Sequence, residues 1–403
     1  MKASLSPVWL PLDAFALAAR FFLPLAFFYT AGRIVHDLVL VVAVYIGDVE
    51  GPRRYLGFAV MSLAVLATLA AYVAMLRVLR KTSILPSAPE GQDGRLSTLI
   101  AHTLLPFLAF YGAWGLFTDD VRQYNTLAQE LFGVQQVGNL SFNPLLTTSV
   151  IALLAFAVRV AAGKLYEARP KGWIGLFSIA FESLWMFFAV ISFEHWIGER
   201  IDWLTSRTAW VAAADAAGTV LGPVGEAAAF VVPNLKDALV LPLVWVVIAA
   251  VVHGRDMEAG EAVIQGTRVE SGAGRIREAA PEPVRKAAEF VSRDLRGKYT
   301  PMLNGLRMVL RAGPVFFLVF CLCYTLLGVA RDWALYGVLN LAGPHESSWW
   351  TVWHEPIKFG VTAVYEVLRI SLLAAALQMA VRAASAVRSS RSGQEDAPQP
   401  AAS

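Results

Sequence analysis

The chain has 403 residues, 57% of them hydrophobic and only 16% charged, with a net charge of +3 and a mean hydropathy of +0.54. A soluble chain is about a quarter charged; here the few charges cluster between apolar blocks of 20 or more residues. A soluble enzyme, a disulfide-stapled secreted domain and a nucleic-acid binder are excluded, and an all-α, polytopic membrane protein is predicted.

A bilayer core about 30 Å thick takes about 20 apolar residues as a helix. Eight stretches meet that length: 13–32, 53–79, 98–117, 144–166, 174–198, 234–253, 305–328 and 356–382. Backbone groups in lipid must be satisfied within their own segment, so each is expected to be helical. The first apolar block runs on to Ile46 and contains Arg33, His36 and Asp37. A break is expected near Gly32, where the span gives way to an interfacial segment. Asp13 and Arg20 interrupt the N-terminal apolar run, which argues against a cleaved signal peptide.

Lys and Arg are unevenly distributed. Lys2, Arg77, Arg80, Lys81, Arg95, Arg159, Lys164, Arg169, Lys171, the run from Arg255 to Arg311, Arg382, Arg388 and Arg391 fall on one side of the predicted spans. The other side holds fewer cations and is richer in acids, among them Asp119, Asp120, Glu199, Asp202, Asp332 and Glu346. The positive-inside rule therefore puts both termini in the cytoplasm of a cell membrane, with four hairpin tips outside. Arg outnumbers Lys 26 to 8 in an Ala-rich chain, which points to a bacterium of high GC content.

Self-similarity suggests four helical-hairpin repeats. Second arms open at Pro52, Pro144, Pro233 and Pro356, as expected of a residue that lacks an N–H in the first helical turn. First arms end at glycine followed by an acid: Gly32 and Asp37, Gly115 and Asp119, Gly198 and Asp202, Gly328 and Asp332. Pro24, Pro106 and Pro314 fall inside first arms. The expected units are 1–81, 98–169, 173–254 and 301–388. Parallel repeats of this kind occur in transporters.

Beyond each glycine and acid, a semi-polar stretch is expected to form a short helix on the outer surface, ending near Gly47, Gly133 or Gly343. Trp196, Trp203, Trp210, Trp333, Trp349, Trp350 and Trp353 crowd that boundary as an aromatic belt would. The third unit carries a broken insertion, 205–233, with Gly222-Pro223 in its apolar part. A piece of about 20 Å is too short to cross, so a re-entrant or interfacial hairpin is expected.

Between the third and fourth units, 255–300 reads as a cytoplasmic loop followed by a basic amphipathic helix. Val284, Val291 and Leu295 recur at helical intervals, and Arg285, Lys286, Arg293, Arg296 and Lys298 supply cations for anionic headgroups. The same segment could dock a cytoplasmic or membrane protein partner. The tail, 389–403, is low in complexity and expected to be disordered.

Ionisable residues inside spans call for a functional hypothesis. Glu182 lies mid-span, while Glu366 and Arg369 stand three apart on one helix face. They form a candidate polar membrane site, or else join helices through Glu366–Arg369 or Glu182–Arg369 pairs. Arg159 and Arg20 are expected to snorkel toward the cytoplasmic ends. A second candidate site, on the outer face, gathers His195, Glu199, Asp202, His345 and His354. His195 and Glu199 have an i, i+4 spacing able to chelate, but no HExxH or comparable metal signature accompanies them. No motif for a nucleotide, a cofactor or nucleophilic catalysis is present, so no catalytic residue, metal or cofactor is assigned. The partner expected throughout is the lipid bilayer. The reading is a non-enzymatic transport or export component, or a membrane scaffold; the alternative is a membrane enzyme acting on a lipid-linked substrate at the outer face.

Overall fold

In the computed structural model the described residues are 7–47, 53–80, 107, 116–133, 145–169, 171–252 and 313–395. Every regular element among them is helical: a 3₁₀ turn, Pro7–Trp9, then α1 (Leu10–Ile46), α2 (Arg53–Arg80), α3 (Leu116–Phe132), α4 (Leu145–Ala168), α5 (Gly172–Thr205), α6 (Thr208–Val252), α7 (Pro314–Ala342) and α8 (Ser347–Glu395). Six helical segments are long and apolar enough to cross a membrane: Pro7–Ile46, Tyr55–Arg80, Leu146–Tyr166, Trp173–Thr205, Pro314–Ala342 and Ser347–Arg382. The expected stretch 234–253 is represented by the shorter apolar segment Asp237–Ala250 of α6. The expected stretch 98–117 lies outside the described residues apart from Phe107, Leu116 and Phe117. This is a multi-pass architecture of apolar helices.

Several expected breaks are absent, each for a local reason. α1 does not stop at Gly32; its irregularity is at Phe21, with φ −114° and ψ 19°. That is the turn before Pro24, whose ring crowds the preceding carbonyls and whose nitrogen cannot donate to Arg20. Gly32 serves packing instead, since a Cβ there would lie 2.3 Å from the Cβ of Ala71 on α2. α6 is unbroken through Gly222-Pro223, so the predicted re-entrant hairpin is a continuous helix. Proline can be held inside an apolar helix when its surroundings and small local adjustments satisfy the freed carbonyl. Pro233 and Pro356 are likewise interior to α6 and α8 rather than at helix starts. Pro314, in contrast, opens α7 directly behind Gly313 at φ +103°.

Gly198 and Gly328 also lie inside helices, so α5 and α7 run straight through the positions expected to end them. The semi-polar stretches there are extensions of spanning helices, not separate surface helices. α1, α5 and α8 have 37, 34 and 49 residues. At 1.5 Å per residue they are about 50–75 Å long, well beyond a hydrocarbon core. Helices do end at Gly47, Gly133 and Gly343, the last two at φ +87° and +77°, where only glycine is unstrained. α3 is a distinct amphipathic helix, burying Asp120, Tyr124 and Ala128 at four-residue intervals.

The chain forms two compact units. One comprises residues 27–74 and 94–237; the other comprises 1–26, 75–93 and 238–403. In the first, α1 and α2 meet at Gly32–Ala71 and again at Gly47–Gly57, where the Tyr124 hydroxyl of α3 also enters. Burial in this tight setting raises the Tyr124 phenol above its ordinary value. α4 and α5 form an antiparallel hairpin across the short turn Arg169–Lys171. In the second unit α7 and α8 are antiparallel neighbours joined by 343–346, and the N-terminal 3₁₀ turn contacts α7. α8 supplies the centre of that unit, with Val367, Ile370, Leu373, Ala374 and Ala380 all at 0% exposure. Large apolar side chains such as Leu154 on α4 and Leu322 on α7 are instead exposed. An outward-facing apolar surface suits lipid as the surrounding solvent.

Candidate functional site

Among the described residues, each unit has a set of polar groups buried between its spans. In the first, α4 and α5 keep a single antiparallel register. A Cβ at Gly175 would meet the Tyr166 ring, Arg159 faces Glu182, Phe156 meets Trp185 edge-on at 5.3 Å, and Thr148 faces Ser192. Arg159 Nε donates to Glu182 Oε2 at 2.5 Å, with side-chain exposures of 13% and 7%. Hydrogen bonds between ionised partners are the strong class. The Arg159 guanidinium also lies 5.9 Å from the Phe156 ring centroid. Arg159 is therefore turned inward to a partner, not snorkelled to the interface. Glu182 is held by Arg159.

Neutral polar contacts continue from the pair. Ser183 donates to the Ser62 carbonyl of α2 at 3.0 Å. Ser192 lies 2.9 Å from Thr148 Oγ1 and 2.8 Å from the Phe188 carbonyl. Each hydroxyl thus finds an acceptor where no water would replace it.

In the second unit Glu366 and Arg369 meet on one face of α8, Oε2 to Nη2 at 2.6 Å, with side-chain exposures of 7% and 10%. The pairing expected from their three-residue spacing is present. Aromatic rings surround the cation: its guanidinium carbon is 4.3 Å from the Trp245 centroid of α6 and 5.6 Å from that of Tyr365. The buried Tyr324 of α7 lies near Arg369. Arg331, half exposed, sits 5.0 Å over the Tyr365 ring. The desolvated contact of Arg369 with Trp245 is of the kind worth about 2 kcal/mol. The arrangement holds one fixed cation and one fixed anion beneath an aromatic lining.

The residues expected at the outer face are arranged differently. His195, Glu199 and Asp202 lie on α5 and are all exposed. His345 stacks on Trp349 at 4.1 Å and pairs through Nδ1 with the Gly343 carbonyl at 3.2 Å; His354 is an exposed residue of α8. Among the described residues, no group of three His, Cys, Asp or Glu side chains is placed to hold a metal ion. Arg285, Lys286, Arg293, Arg296 and Lys298 lie outside the described residues.

Two associations escaped the sequence. One is Arg159 with Glu182, 23 residues apart on different helices. The other joins α1 to α3: His36 Nε2 lies 3.3 Å from Asp120 Oδ1, and Arg33 donates to Gln123 at 3.3 Å. A buried histidine and an Asp-Asp pair were visible as letters, but nothing in their spacing indicated that they touch. No family model matches the chain, and neither a curated protein nor a solved structure matches it.

Proposed function

We propose that this chain is a non-enzymatic transport or export component of a bacterial cytoplasmic membrane, with the polar groups buried in its spans as the working site. In this reading the stretches 98–117 and 234–253 supply two further crossings. They complete eight spans in four hairpin units with both termini cytoplasmic. The segment 255–300 then lies at the inner leaflet, its five cations among anionic headgroups or against a protein partner.

The observation that carries the reading is the Glu366–Arg369 pair. Ionised groups are expensive in hydrocarbon and persist there mainly along substrate or ion pathways. The pair closes within one turn of one helix. This chain joins helices more cheaply elsewhere, by the Gly32–Ala71 contact and the Ser192–Thr148 hydrogen bond. A polar or charged solute bound at this pair would account for charge retained within the spans. Arg159–Glu182 adds a second pair of the same chemistry in the other unit.

Glu182→Gln and Glu366→Gln keep side-chain shape and remove the charge. Each is expected to reproduce the phenotype of a strain lacking the gene when compared at matched levels of membrane-inserted protein. Full function in both variants would overturn the proposal. The rival reading, an enzyme working on a lipid-linked substrate, draws on the exposed His195, Glu199 and Asp202 of α5. It requires that replacing His195, His345 and His354 together by alanine abolish function; the transport reading expects function to survive.

A further inference from the structure

Tyr324 and Arg331 are about two turns apart and share a face of α7. Tyr365 and Arg369 are about one turn apart on α8, the antiparallel neighbour of α7. Arg331 lies over Tyr365 and Tyr324 lies near Arg369, so the two helices keep one register here. The single Tyr365 ring thus has two guanidiniums beside it, that of Arg331 at 5.0 Å and that of Arg369 at 5.6 Å.

Exposure falls along this line. The Asp332 side chain is 67% exposed and that of Arg331 40%, whereas Tyr365, Glu366, Arg369 and Tyr324 are buried. Arg331 is about 26 Å along α7 from Pro314, close to the thickness of a hydrocarbon core. With Pro314 at one boundary of the core, Arg331 stands near the other, and the line leads from there to the buried pair.

The bonding of Arg331 bears on which charge this line receives. Its Nε and Nη2 both donate to one oxygen, Asp332 Oδ1, at 2.9 and 2.7 Å. Asp332 is its neighbour in sequence and is exposed, so the pair is weak and screened. A guanidinium fork is better matched by two oxygens of one oxyanion, each taking one N–H. A carboxylate or phosphate arriving from outside can therefore replace Asp332 on Arg331. A solute cation finds less. The Glu366 carboxylate is already held by Arg369 at 2.6 Å, and the Trp245 and Tyr365 rings already carry guanidiniums.

We propose that Arg331 is the outer recognition residue of this site, and that its solute is an organic anion with a carboxylate or phosphate head. The head exchanges with Asp332 on the Arg331 fork, and an apolar body suits the aromatic lining beyond. Arg331 has this role only if Glu366 and Arg369 are the working site proposed above. Free solutes and anionic lipids carry the same head, and the test separates them.

The test is equilibrium binding of radiolabelled benzoate and phenyl phosphate to the full-length protein in phosphatidylcholine nanodiscs, with benzylammonium as the cationic counterpart and empty discs as background. At least one anion is expected to bind saturably, and benzylammonium is not. Arg331→Gln should weaken anion binding about tenfold or more, and Arg331→Lys by less. Asp332→Asn removes the competing carboxylate and should tighten it, which loss of packing would not do. Saturable binding of neither anion, preferred binding of benzylammonium, or unchanged affinity in both Arg331→Gln and Asp332→Asn overturns the proposal. Anion binding that disappears in phosphatidylglycerol discs assigns Arg331 to a lipid headgroup and overturns it too. Wild type alone decides between anion and cation, so a variant that fails to fold does not spoil the test. If anions fail to bind while Glu366→Gln still abolishes function, the site stands and only its substrate class falls.

Discussion

Arg159 and Glu182 face one another across the α4–α5 hairpin, Nε to Oε2 at 2.5 Å, in the same register that pairs Phe156 with Trp185 and Thr148 with Ser192. The hairpin therefore holds the charges opposite each other by packing rather than by their mutual attraction alone. Removing one partner should cost more than removing both. Arg159→Leu removes the cation held against the Glu182 charge and is expected to destabilise the protein by about 3–5 kcal/mol, while the double change Arg159→Leu, Glu182→Leu recovers most of it. Thermal unfolding in detergent across the four-member cycle measures this. Equal losses for single and double variants would show that the pair is not coupled.

The crossing of α1 and α2 makes a second prediction. Gly32→Ala places a methyl group 2.3 Å from Ala71 Cβ, so the helices must separate. Overpacking of this kind costs about 1–3 kcal/mol. Ala71→Gly removes the opposing atom and should restore much of the loss when combined with Gly32→Ala, a coupling that a double-mutant cycle reports directly. Simple additivity would place the contact elsewhere.

Arg369→Lys tests whether the buried cation acts as a flat, stacked group or merely as a charge. A lysine keeps the charge but cannot stack its head group on Trp245. The expected outcome is reduced function and a fall in stability of about 1–2 kcal/mol. Trp245→Leu should produce a similar fall, and the two changes together little more than either alone. Wild-type stability in Arg369→Lys would reduce the aromatic lining to packing.

The sequence made the class of this protein legible, because apolar blocks of bilayer length and scarce charges admit few other structures. Six of the expected spans appear as long apolar helices, and Glu366 with Arg369 is paired as their spacing implied. Punctuation was less readable. Pro233, Pro356, Gly198 and Gly328 look like helix boundaries in water-soluble terms but lie within continuous helices. In lipid an open backbone costs more than a proline, so the helix continues through it. Gly32 was misleading for another reason: its missing side chain admits a neighbouring helix, a role that neither its neighbours in sequence nor its spacing from Asp37 announces. The partners of Arg159 and His36 stayed hidden because each belongs to a different helix, and helix register follows from tertiary packing.

The account depends most on lipid covering the exposed apolar faces of the helices. Single cysteines can be placed at Leu154, Leu322 and Leu341, which are 63%, 58% and 87% exposed, with Cys321 and Cys323 replaced by alanine. Reaction with a membrane-impermeant maleimide is then followed in sealed vesicles of both orientations. The prediction is that Leu341→Cys, at the end of α7, reacts from one side only, and that Leu154→Cys and Leu322→Cys, within their spans, react from neither. Rapid labelling of Leu154→Cys and Leu322→Cys from the aqueous phase would contradict it.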